Sequence, residues 1–347
     1  MPEKMPAVVN FAESPKSVEL REIAIPEISE NDVLLEVRAV SVCGSDLHQW
    51  LGGISWKVNY PCVLGHEFAG VIVKRGKQVK NFEIGDRVVS ETAAVIDESS
   101  PLTRKGLYNL DPSRLGFGYG VDGAMTKYVK VPERILHRIP DSLDFVRAAL
   151  TEPCSVAYNA VCVNSDLKLG DTVLVLGPGP IGLLSTIMAK LSGAGHLVVA
   201  GLARDAKRLD TALEIGADKV LTKGIEEYFG NFGDGLGPDL VIDAAGVSAT
   251  LETAMKVVRP AGQVTKVGWG PQAMNFSFDA AVQKNVRVQG SFSHNWPIWE
   301  RVIAMMASGQ LDVGPLISKT AKLQDWQACF EGMHSGEYIK TVLLPQA

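Results

Sequence analysis

The chain has 347 residues, of which 46% are hydrophobic and 21% are charged, and this balance indicates a soluble enzyme of about two domains. Its net charge of −5, without a dense basic block, argues against nucleic acid or an anionic membrane as a partner. No stretch approaches the ~20 apolar residues of a membrane-spanning helix, and the N-terminus has no export pattern.

Five cysteines are widely spaced along the chain, at positions 43, 62, 154, 162 and 329. An odd and dispersed set does not make a disulfide framework of the kind that staples small secreted domains. We therefore predict a reducing environment, with the cytoplasm as the location.

The first part of the chain has the pattern of a β-rich domain. Short apolar runs typical of strands cover Val33–Val40, Phe68–Val73 and Arg87–Val89, with glycines and prolines between them. The segment Ala93–Asp122 lacks any period and is predicted to be a long excursion from this domain.

From residue 155 the pattern changes to alternating strands and helices. The predicted elements are the strand Thr172–Leu176, the helix Ile181–Leu191, the strand Leu197–Ala200, the helix Ala206–Ile215 and the strand Asp239–Asp243. This alternation predicts an α/β domain of βαβ units with a parallel sheet. After residue 286 the pattern is mixed again, with one helix expected between Trp296 and Ser308.

A glycine-rich loop, Gly177-Pro178-Gly179-Pro180-Ile181-Gly182, joins the first strand and helix of this α/β domain. In this position Gly177 permits the tight turn, Gly179 lets the backbone approach a pyrophosphate, and Gly182 lets the helix pack on the strand. The helix N-terminus, opened by Pro180 and Ile181, offers free N–H groups to the phosphates. The loop predicts a dinucleotide site; the alternative is a strand–helix turn that binds no ligand.

The end of the second strand decides between NAD and NADP. NAD enzymes usually place Asp or Glu there to bind the ribose 2′-hydroxyl, but this chain has Gly201, followed by Arg204. Gly201 leaves room for a 2′-phosphate and Arg204 can bind its oxygens, so we predict NADP over NAD. Two alternatives stay open: the cations solvate a helix face, or Asp205 holds the ribose.

Four residues have the chemistry of a metal site. Cys43, His66, Glu67 and Glu152 supply the thiolate, imidazole and carboxylate groups that Zn²⁺ prefers. His66 and Glu67 face the same ion only if the chain bends between them, which Gly65 permits. Glu152 lies where the two predicted domains meet, near the expected cleft. We predict three firm ligands, Cys43, His66 and Glu67, with Glu152 binding either directly or through water.

The order of these motifs resembles the zinc-dependent medium-chain dehydrogenases, and most of all their polyol (sorbitol-type) branch. The motifs that carry the resemblance are Gly65-His66-Glu67-x-x-Gly70 followed by Gly76 and Val79, Gly85-Asp86-Arg87-Val88, Glu152-Pro153 and the loop Gly177–Gly182. The resemblance implies a GroES-like catalytic domain at 1–154 and 287–347, interrupted by a doubly wound Rossmann domain at 155–286. It also implies a homodimer or homotetramer. Glutamate at position 152, where alcohol enzymes commonly have cysteine, is similar to the polyol branch.

Relatives often carry a second, structural zinc held by four closely spaced cysteines. In this chain the matching positions are Asp97, Ser100, Thr103 and Asp111. Two hydroxyls and two carboxylates are a poor zinc cage. We therefore predict one catalytic zinc per subunit and no structural zinc.

The resemblance further implies a proton relay from the substrate hydroxyl through Ser45 and then His48. Glu152 is expected to tune the metal-bound water. Trp50, Phe292, His294 and Asn295 are candidates to line a sugar-alcohol pocket, whereas Trp56 and Trp296 are expected to be core residues. Sorbitol enzymes have a basic residue and a tyrosine near Ser293 and His294, so the particular polyol stays open.

Two other functions are compatible with parts of this pattern. A threonine-type amino-alcohol dehydrogenase has similar motifs, including His-Glu-Phe, but we identify no carboxylate-binding arginine. A metal-free quinone-reductase-like or non-catalytic relative would lack the metal ligands, which are intact here. The sequence therefore favours hydride transfer between a secondary alcohol, of the polyol class, and NAD(P).

Overall fold

A computed structural model describes residues 3–270 and 272–347. The chain divides into two compact units: unit 1 comprises Met1–Glu152 and His294–Ala347, and unit 2 comprises Pro153–Ser293. Helices and strands are numbered below in chain order. Unit 1 is thus built from two separate chain segments, and unit 2 from the continuous stretch between them.

Unit 1 is rich in antiparallel strands. A three-stranded sheet has the order β2-β1-β4, and a larger sheet has the order β15-β16-β3-β5-β6-β8, with β7 also paired to β3. The strands are β1 Lys4–Asn10, β2 Val18–Ala24, β3 Asp32–Ser41, β4 Cys62–Val63, β5 Glu67–Arg75, β6 Arg87–Ser90, β7 Tyr128–Pro132, β8 Leu136–Arg138, β15 Ile317–Lys322 and β16 Lys340–Leu344. The second segment completes the larger sheet, because β16 pairs antiparallel with β3.

Short helices flank these sheets. They are α1 Gly44–Leu51, α2 Pro101–Arg104, α3 Phe145–Ala148, α10 Trp296–Ala307 and α11 Trp326–Ser335, while α4 Thr151–Tyr158 begins at the end of the first segment. One apolar core holds unit 1 together and includes Leu35, Val37 and Phe68 from the larger sheet. Phe330 of α11 packs edge-on against Trp50 of α1, with ring centroids 6.0 Å apart, so the two segments share this core.

Unit 2 is a six-stranded sheet in the order β11-β10-β9-β12-β13-β14. Its strands are β9 Thr172–Leu176, β10 His196–Ala200, β11 Lys219–Leu221, β12 Leu240–Asp243, β13 Gln263–Lys266 and β14 Arg287–Gly290, and every pair is parallel. Numbered within the sheet, this order is 3-2-1-4-5-6, the doubly wound arrangement in which ligands bind at the carboxyl end of the first strand. The predicted fold class is confirmed.

The helices of unit 2 follow its strands. They are α5 Pro180–Leu191, α6 Ala206–Glu214, α7 Ile225–Asn231, α8 Ser248–Val257 and α9 Asp279–Gln283. Strands β9 and β12 are buried along almost their whole length, as expected of strands covered on both faces. The elements predicted from periodicity in this unit are confirmed to within one residue at each end.

The observed division differs from the predicted boundaries at both ends. The sequence placed the return to the first domain after residue 286, whereas β14 Arg287–Gly290 is the sixth strand of the unit 2 sheet. Its residues are largely exposed, so it lacks the continuous apolar run that marks a buried parallel strand.

The segment predicted as an excursion, Ala93–Asp122, contains α2 and a 3₁₀ turn at Tyr108–Leu110.

No helix among the described residues is both long enough and apolar enough to cross a bilayer.

We expect Gly182→Ala to destabilise unit 2. A Cβ at this position would lie 1.8 Å from the carbonyl oxygen of Gly177, so the turn between β9 and α5 would have to open, at a cost of about 1–3 kcal/mol. The control is Gly230→Ala in α7, where a Cβ would meet nothing within 4 Å. Urea unfolding of both variants checks this; equal stabilities would contradict it.

Candidate active site

Cys43 lies at the start of α1, two residues after β3 ends at Ser41. Its backbone is extended, with φ −95° and ψ 156°, and its N–H donates to Asp46 Oδ2 at 2.9 Å. This is the reciprocal side-chain contact of a capped helix N-terminus, with the acid at the third helical position. The cap fixes where the Cys43 thiol leaves the helix.

The turn at Gly65 brings the next two side chains to Cys43. Gly65 has φ +94°, and a Cβ there would lie 2.8 Å from Met125 Cγ, so only glycine fits this conformation. Three side-chain atoms that could bind a metal, one each from Cys43, His66 and Glu67, lie within 4.8 Å of one another. These three residues are called the Cys43–His66–Glu67 cluster below. The bend that the sequence required between His66 and Glu67 is present.

His66 is held by polar neighbours on both ring nitrogens. Ser45 Oγ lies 3.5 Å from Nε2, and Asp46 Oδ1 lies 3.9 Å from Nδ1. Burial alone would lower the pKa of His66, but the charges of Cys43, Asp46 and Glu152 raise it well above its ordinary value. A site that holds a proton this firmly has a negative potential and favours a cation.

Glu67 is paired with a buried lysine from the second segment. Lys340 Nζ donates to Glu67 Oε2 at 2.5 Å and to the Val42 carbonyl at 2.6 Å, and both side chains are 1% exposed. Burial raises the pKa of the Glu67 carboxyl, and the Lys340 charge opposes that rise. The ion pair engages Oε2 and leaves Oε1 as the oxygen for a metal.

Glu152 forms a hydrogen bond with His294, which is not part of the Cys43–His66–Glu67 cluster. His294 Nε2 lies 3.0 Å from Glu152 Oε1, and Trp299 Nε1 donates to His294 Nδ1 at 2.7 Å. Burial alone would raise the pKa of Glu152, but the bond from His294 and nearby positive charges lower it. Among the described residues, the three grouped ligand atoms do not include one from Glu152. Of its two predicted roles, this geometry favours contact through water.

Ser45 and His48, the predicted relay residues, both belong to α1. Ser45 Oγ contacts the cluster through His66. His48 lies in the last turn of the helix and is exposed, and desolvation lowers its pKa below 6.5. His48 is therefore neutral near pH 7 and able to accept a proton.

The segment from Asp97 to Asp111, where relatives have the structural-zinc cysteines, is stabilised by hydrogen bonds from side chains and nearby N–H groups. Asp97 accepts from the N–H and hydroxyl of Ser99 at 2.8 and 2.6 Å. Asp111 accepts the same two bonds from Ser113 and one from Ser100. These bonds lower the pKa of both carboxyls. Serine side chains and N–H groups thus engage Oδ1 of each carboxylate, while Thr103 lies within α2.

The glycine loop of unit 2 has the conformation that the motif predicts. Gly177 has φ +95°, and Pro180 is the first residue of α5, where its missing N–H costs nothing. A Cβ on Gly179 would meet nothing within 4 Å, so the backbone there is open to a ligand. Ile181 and Gly182 follow in the first turn of α5.

Gly201, which follows β10, is required by packing as well as by the room that a 2′-phosphate would need. A Cβ on Gly201 would lie 2.7 Å from Pro178 Cγ, so close packing against the loop also requires glycine. Asp205 Oδ2 accepts from the Leu202 N–H at 2.9 Å, and its Oδ1 lies 3.9 Å from Arg208. Arg204 is exposed. Asp205 therefore stabilises the turn, and Arg204 faces solvent.

The candidates for the substrate pocket differ in their surroundings. Trp50 is a core residue, 7% exposed, and His294 is buried against Glu152 and Trp299. Trp296 was expected in the core but is 39% exposed; its ring, at the start of α10, also contacts that of His137. Phe292 stacks on Trp269 in unit 2. Trp56 is half-buried, and Asn295 donates to the Gly106 carbonyl at 3.2 Å.

Three residues around the cluster were missed from the sequence. Asp46 had a signal, the acid three residues after a helix N-cap. Lys340 had none, because 273 positions separate it from Glu67. Trp299 likewise had none, because it matters only through His294, whose partner Glu152 lies 142 positions away.

We expect Lys340→Met to destabilise unit 1 by about 3–5 kcal/mol, since it leaves the Glu67 carboxylate buried without its partner. Because burial raises the pKa of Glu67, the folded state then binds a proton more tightly than the unfolded state. The stability of the variant should therefore fall as pH rises from about 5 to 8.

Urea unfolding of EDTA-treated protein measures this effect. Lys322→Met, at an exposed lysine of the neighbouring strand β15, is the control and should change stability by less than about 0.5 kcal/mol. A Lys340→Met variant as stable as this control would contradict the expectation.

The residues from 29 to 141 match the family model described as the alcohol dehydrogenase GroES-like domain, and those from 180 to 308 match the zinc-binding dehydrogenase model. A sorbitol dehydrogenase of Halalkalibacterium halodurans is 35% identical, over 92% of this chain and 93% of its own length. A D-arabitol-phosphate dehydrogenase of Enterococcus avium is 32% identical, over 93% and 92%.

The fold is also that of a solved structure from this group. A Sinorhizobium meliloti 1021 protein, named as a putative zinc-binding dehydrogenase and bound to NADP, has a TM-score of 0.90 and 28% identity, covering 99% of this chain and 100% of its own. Together with the cluster in unit 1 and the doubly wound sheet of unit 2, these similarities show that the chain belongs to the zinc-type medium-chain polyol dehydrogenase family of oxidoreductases.

Proposed function

We propose that this protein is a zinc-dependent polyol dehydrogenase that transfers a hydride from a secondary alcohol of a sugar alcohol to NADP. The observation that carries the proposal is the Cys43–His66–Glu67 cluster, whose three ligand atoms lie within 4.8 Å. Polyol chemistry is supported by the names of its relatives, a sorbitol and a D-arabitol-phosphate dehydrogenase.

The cluster fits zinc by its donor set. One sulfur, one imidazole nitrogen and one carboxylate oxygen are ligands of catalytic zinc, which keeps a fourth position for water or substrate. The raised pKa of His66 is what a site built for positive charge should give. Zinc, when bound, would act as a Lewis acid that makes the substrate hydroxyl easier to deprotonate.

The residues around the cluster then move the proton and orient the alcohol. Ser45, beside His66, accepts the hydroxyl proton, and the neutral ring of His48 passes it to solvent. Glu152 acts through water, as its bond to His294 favours. Lys340 fixes Glu67, so the carboxylate is held before a metal arrives.

The cofactor is proposed to bind unit 2 at the start of α5. Gly179 is open to the pyrophosphate, and the helix N-terminus supplies N–H groups and a partial positive charge. Asp205 is engaged by Leu202 and Arg208, which leaves the exposed Arg204 for a 2′-phosphate. The NADP of the S. meliloti protein supports this choice.

We further propose one zinc per subunit, because hydrogen bonds engage Oδ1 of Asp97 and of Asp111. A homodimer or homotetramer in the cytoplasm remains our proposal from the family resemblance and the cysteine pattern. Light scattering of the purified protein measures the assembly.

The principal experiment combines metal analysis with a substrate panel. Dialysed protein should hold one zinc per chain, and Cys43→Ala should lose it along with activity. C4–C6 polyols should be oxidised in preference to L-threonine, and a chelator should abolish turnover. Preference for L-threonine over the polyols would favour an amino-alcohol dehydrogenase. Full activity without metal would favour a quinone-reductase-like enzyme. Two tightly bound zinc ions per chain would contradict the single metal site.

Arg204→Ala tests the choice of cofactor. Loss of a charge-assisted bond to a phosphate is worth about 1.5–3 kcal/mol, so the ratio of kcat/KM for NADPH to that for NADH should fall about 10- to 100-fold. Arg38→Ala, at an exposed arginine of β3, is the control. An unchanged ratio in the Arg204 variant would remove Arg204 from the phosphate site.

A further inference from the structure

Three buried side chains of unit 1 form a directed chain of hydrogen bonds. Trp299 Nε1 donates to His294 Nδ1 at 2.7 Å, and His294 Nε2 lies 3.0 Å from Glu152 Oε1. Trp299 is 1% exposed, His294 2% and Glu152 8%. Within residues 3–270 and 272–347, His294 is the hydrogen-bond partner of the Glu152 side chain.

The first bond fixes the direction of the second. An indole N–H is a donor and never an acceptor, so the nitrogen of His294 that meets it must carry a lone pair. The ring hydrogen of His294 is therefore on Nε2, where it is aimed at Glu152. Trp299 thus selects one of the two neutral tautomers of His294.

The surroundings of Trp299 and His294 keep this geometry rigid. The Trp299 indole is stacked on the His137 ring, with centroids 5.4 Å apart and planes at 13°. His137 is itself held by Glu91 at 3.3 Å and Glu300 at 2.5 Å. A rotation of the indole would therefore break a packed aromatic contact as well as a hydrogen bond.

The backbone before His294 is strained. Ser293 has φ +58°, a left-handed conformation that non-glycine residues seldom adopt and that persists only where the surrounding structure holds it. The strain occurs at the residue that sets the direction of the His294 backbone.

We propose that Trp299 and His294 are positioning residues for Glu152: His294 binds its Oε1 and Trp299 orients His294, so that Oε2 is presented to the substrate hydroxyl or its water. The inference rests on the proposed function for the role of Glu152, but the tautomer of His294 is independent of any activity.

The first test is the tautomer itself, measured by ¹⁵N NMR of the imidazole rings in the zinc-free full-length protein. The chain has six histidines, and the His294 signal is identified by its loss in His294→Gln. The wild type should show hydrogen on Nε2. Trp299→Phe keeps an aromatic ring but removes the donor to Nδ1, so the signal of that unprotonated nitrogen should shift, while the Glu152 carboxylate still holds the hydrogen on Nε2. Trp326→Phe, at a buried indole packed on Phe330, is the matched control and should leave the Nδ1 signal unchanged.

The second test separates positioning from packing. His294→Leu should lower kcat about 10- to 100-fold with the best polyol of the panel, with KM changed less, while His294→Gln should recover most of the loss because its amide can still donate to Glu152. Thermal unfolding confirms that each variant is folded.

Three results would overturn the inference: hydrogen on Nδ1 of His294 in the wild type, an unchanged Nδ1 signal in Trp299→Phe, or equal kcat losses for the glutamine and leucine variants. If no polyol is oxidised but the Nδ1 signal responds as expected, the proposed substrate fails and the Trp299–His294 pairing stands. If polyols are oxidised and the Nδ1 signal does not respond, the positioning fails and the proposed function stands.

Discussion

The structure around the candidate active site depends on one buried charge balance, the ion pair of Glu67 and Lys340. Both side chains are 1% exposed, and neither charge is tolerable there alone. Lys340 opens the last strand of the chain, and Glu67 opens β5. The ion pair therefore ties the C-terminal strand to the turn that carries His66 and Glu67, and the second segment must be folded before the cluster is complete.

A second contact joins the same two segments at the other carboxylate. Glu152 closes the first segment and His294 opens the second, and their side chains are bonded at 3.0 Å. The continuous stretch that forms unit 2 lies between them in sequence. The two ends of unit 1 that flank unit 2 in the sequence are thus bonded to each other, and the bond holds the Glu152 carboxylate.

Charge explains why so many polar groups are buried here. The Cys43 thiol and the carboxyls of Asp46, Glu67 and Glu152 converge on His66 and Lys340, and their combined field raises the pKa of both. A concentration of acidic groups is costly in a protein interior unless a cation compensates it. In unit 2, the proposed cofactor site consists of backbone groups at the N-terminus of α5, which require small residues rather than charges.

Local patterns in the sequence were enough to determine the fold class and to predict which three residues form the Cys43–His66–Glu67 cluster. Alternating apolar runs gave the strands and helices of unit 2, and Gly65, Gly177 and Gly182 marked turns because no other residue fits them. Cys43, His66 and Glu67 could be proposed together because their side-chain chemistry is specific to one kind of metal. The tertiary structure alone decided the partners of those residues, Lys340 for Glu67 and the Trp299–His294 pair for Glu152. The reason is physical: a hydrogen bond between residues more than 100 positions apart leaves no period or spacing in the sequence, and only packing brings its two atoms within 3 Å.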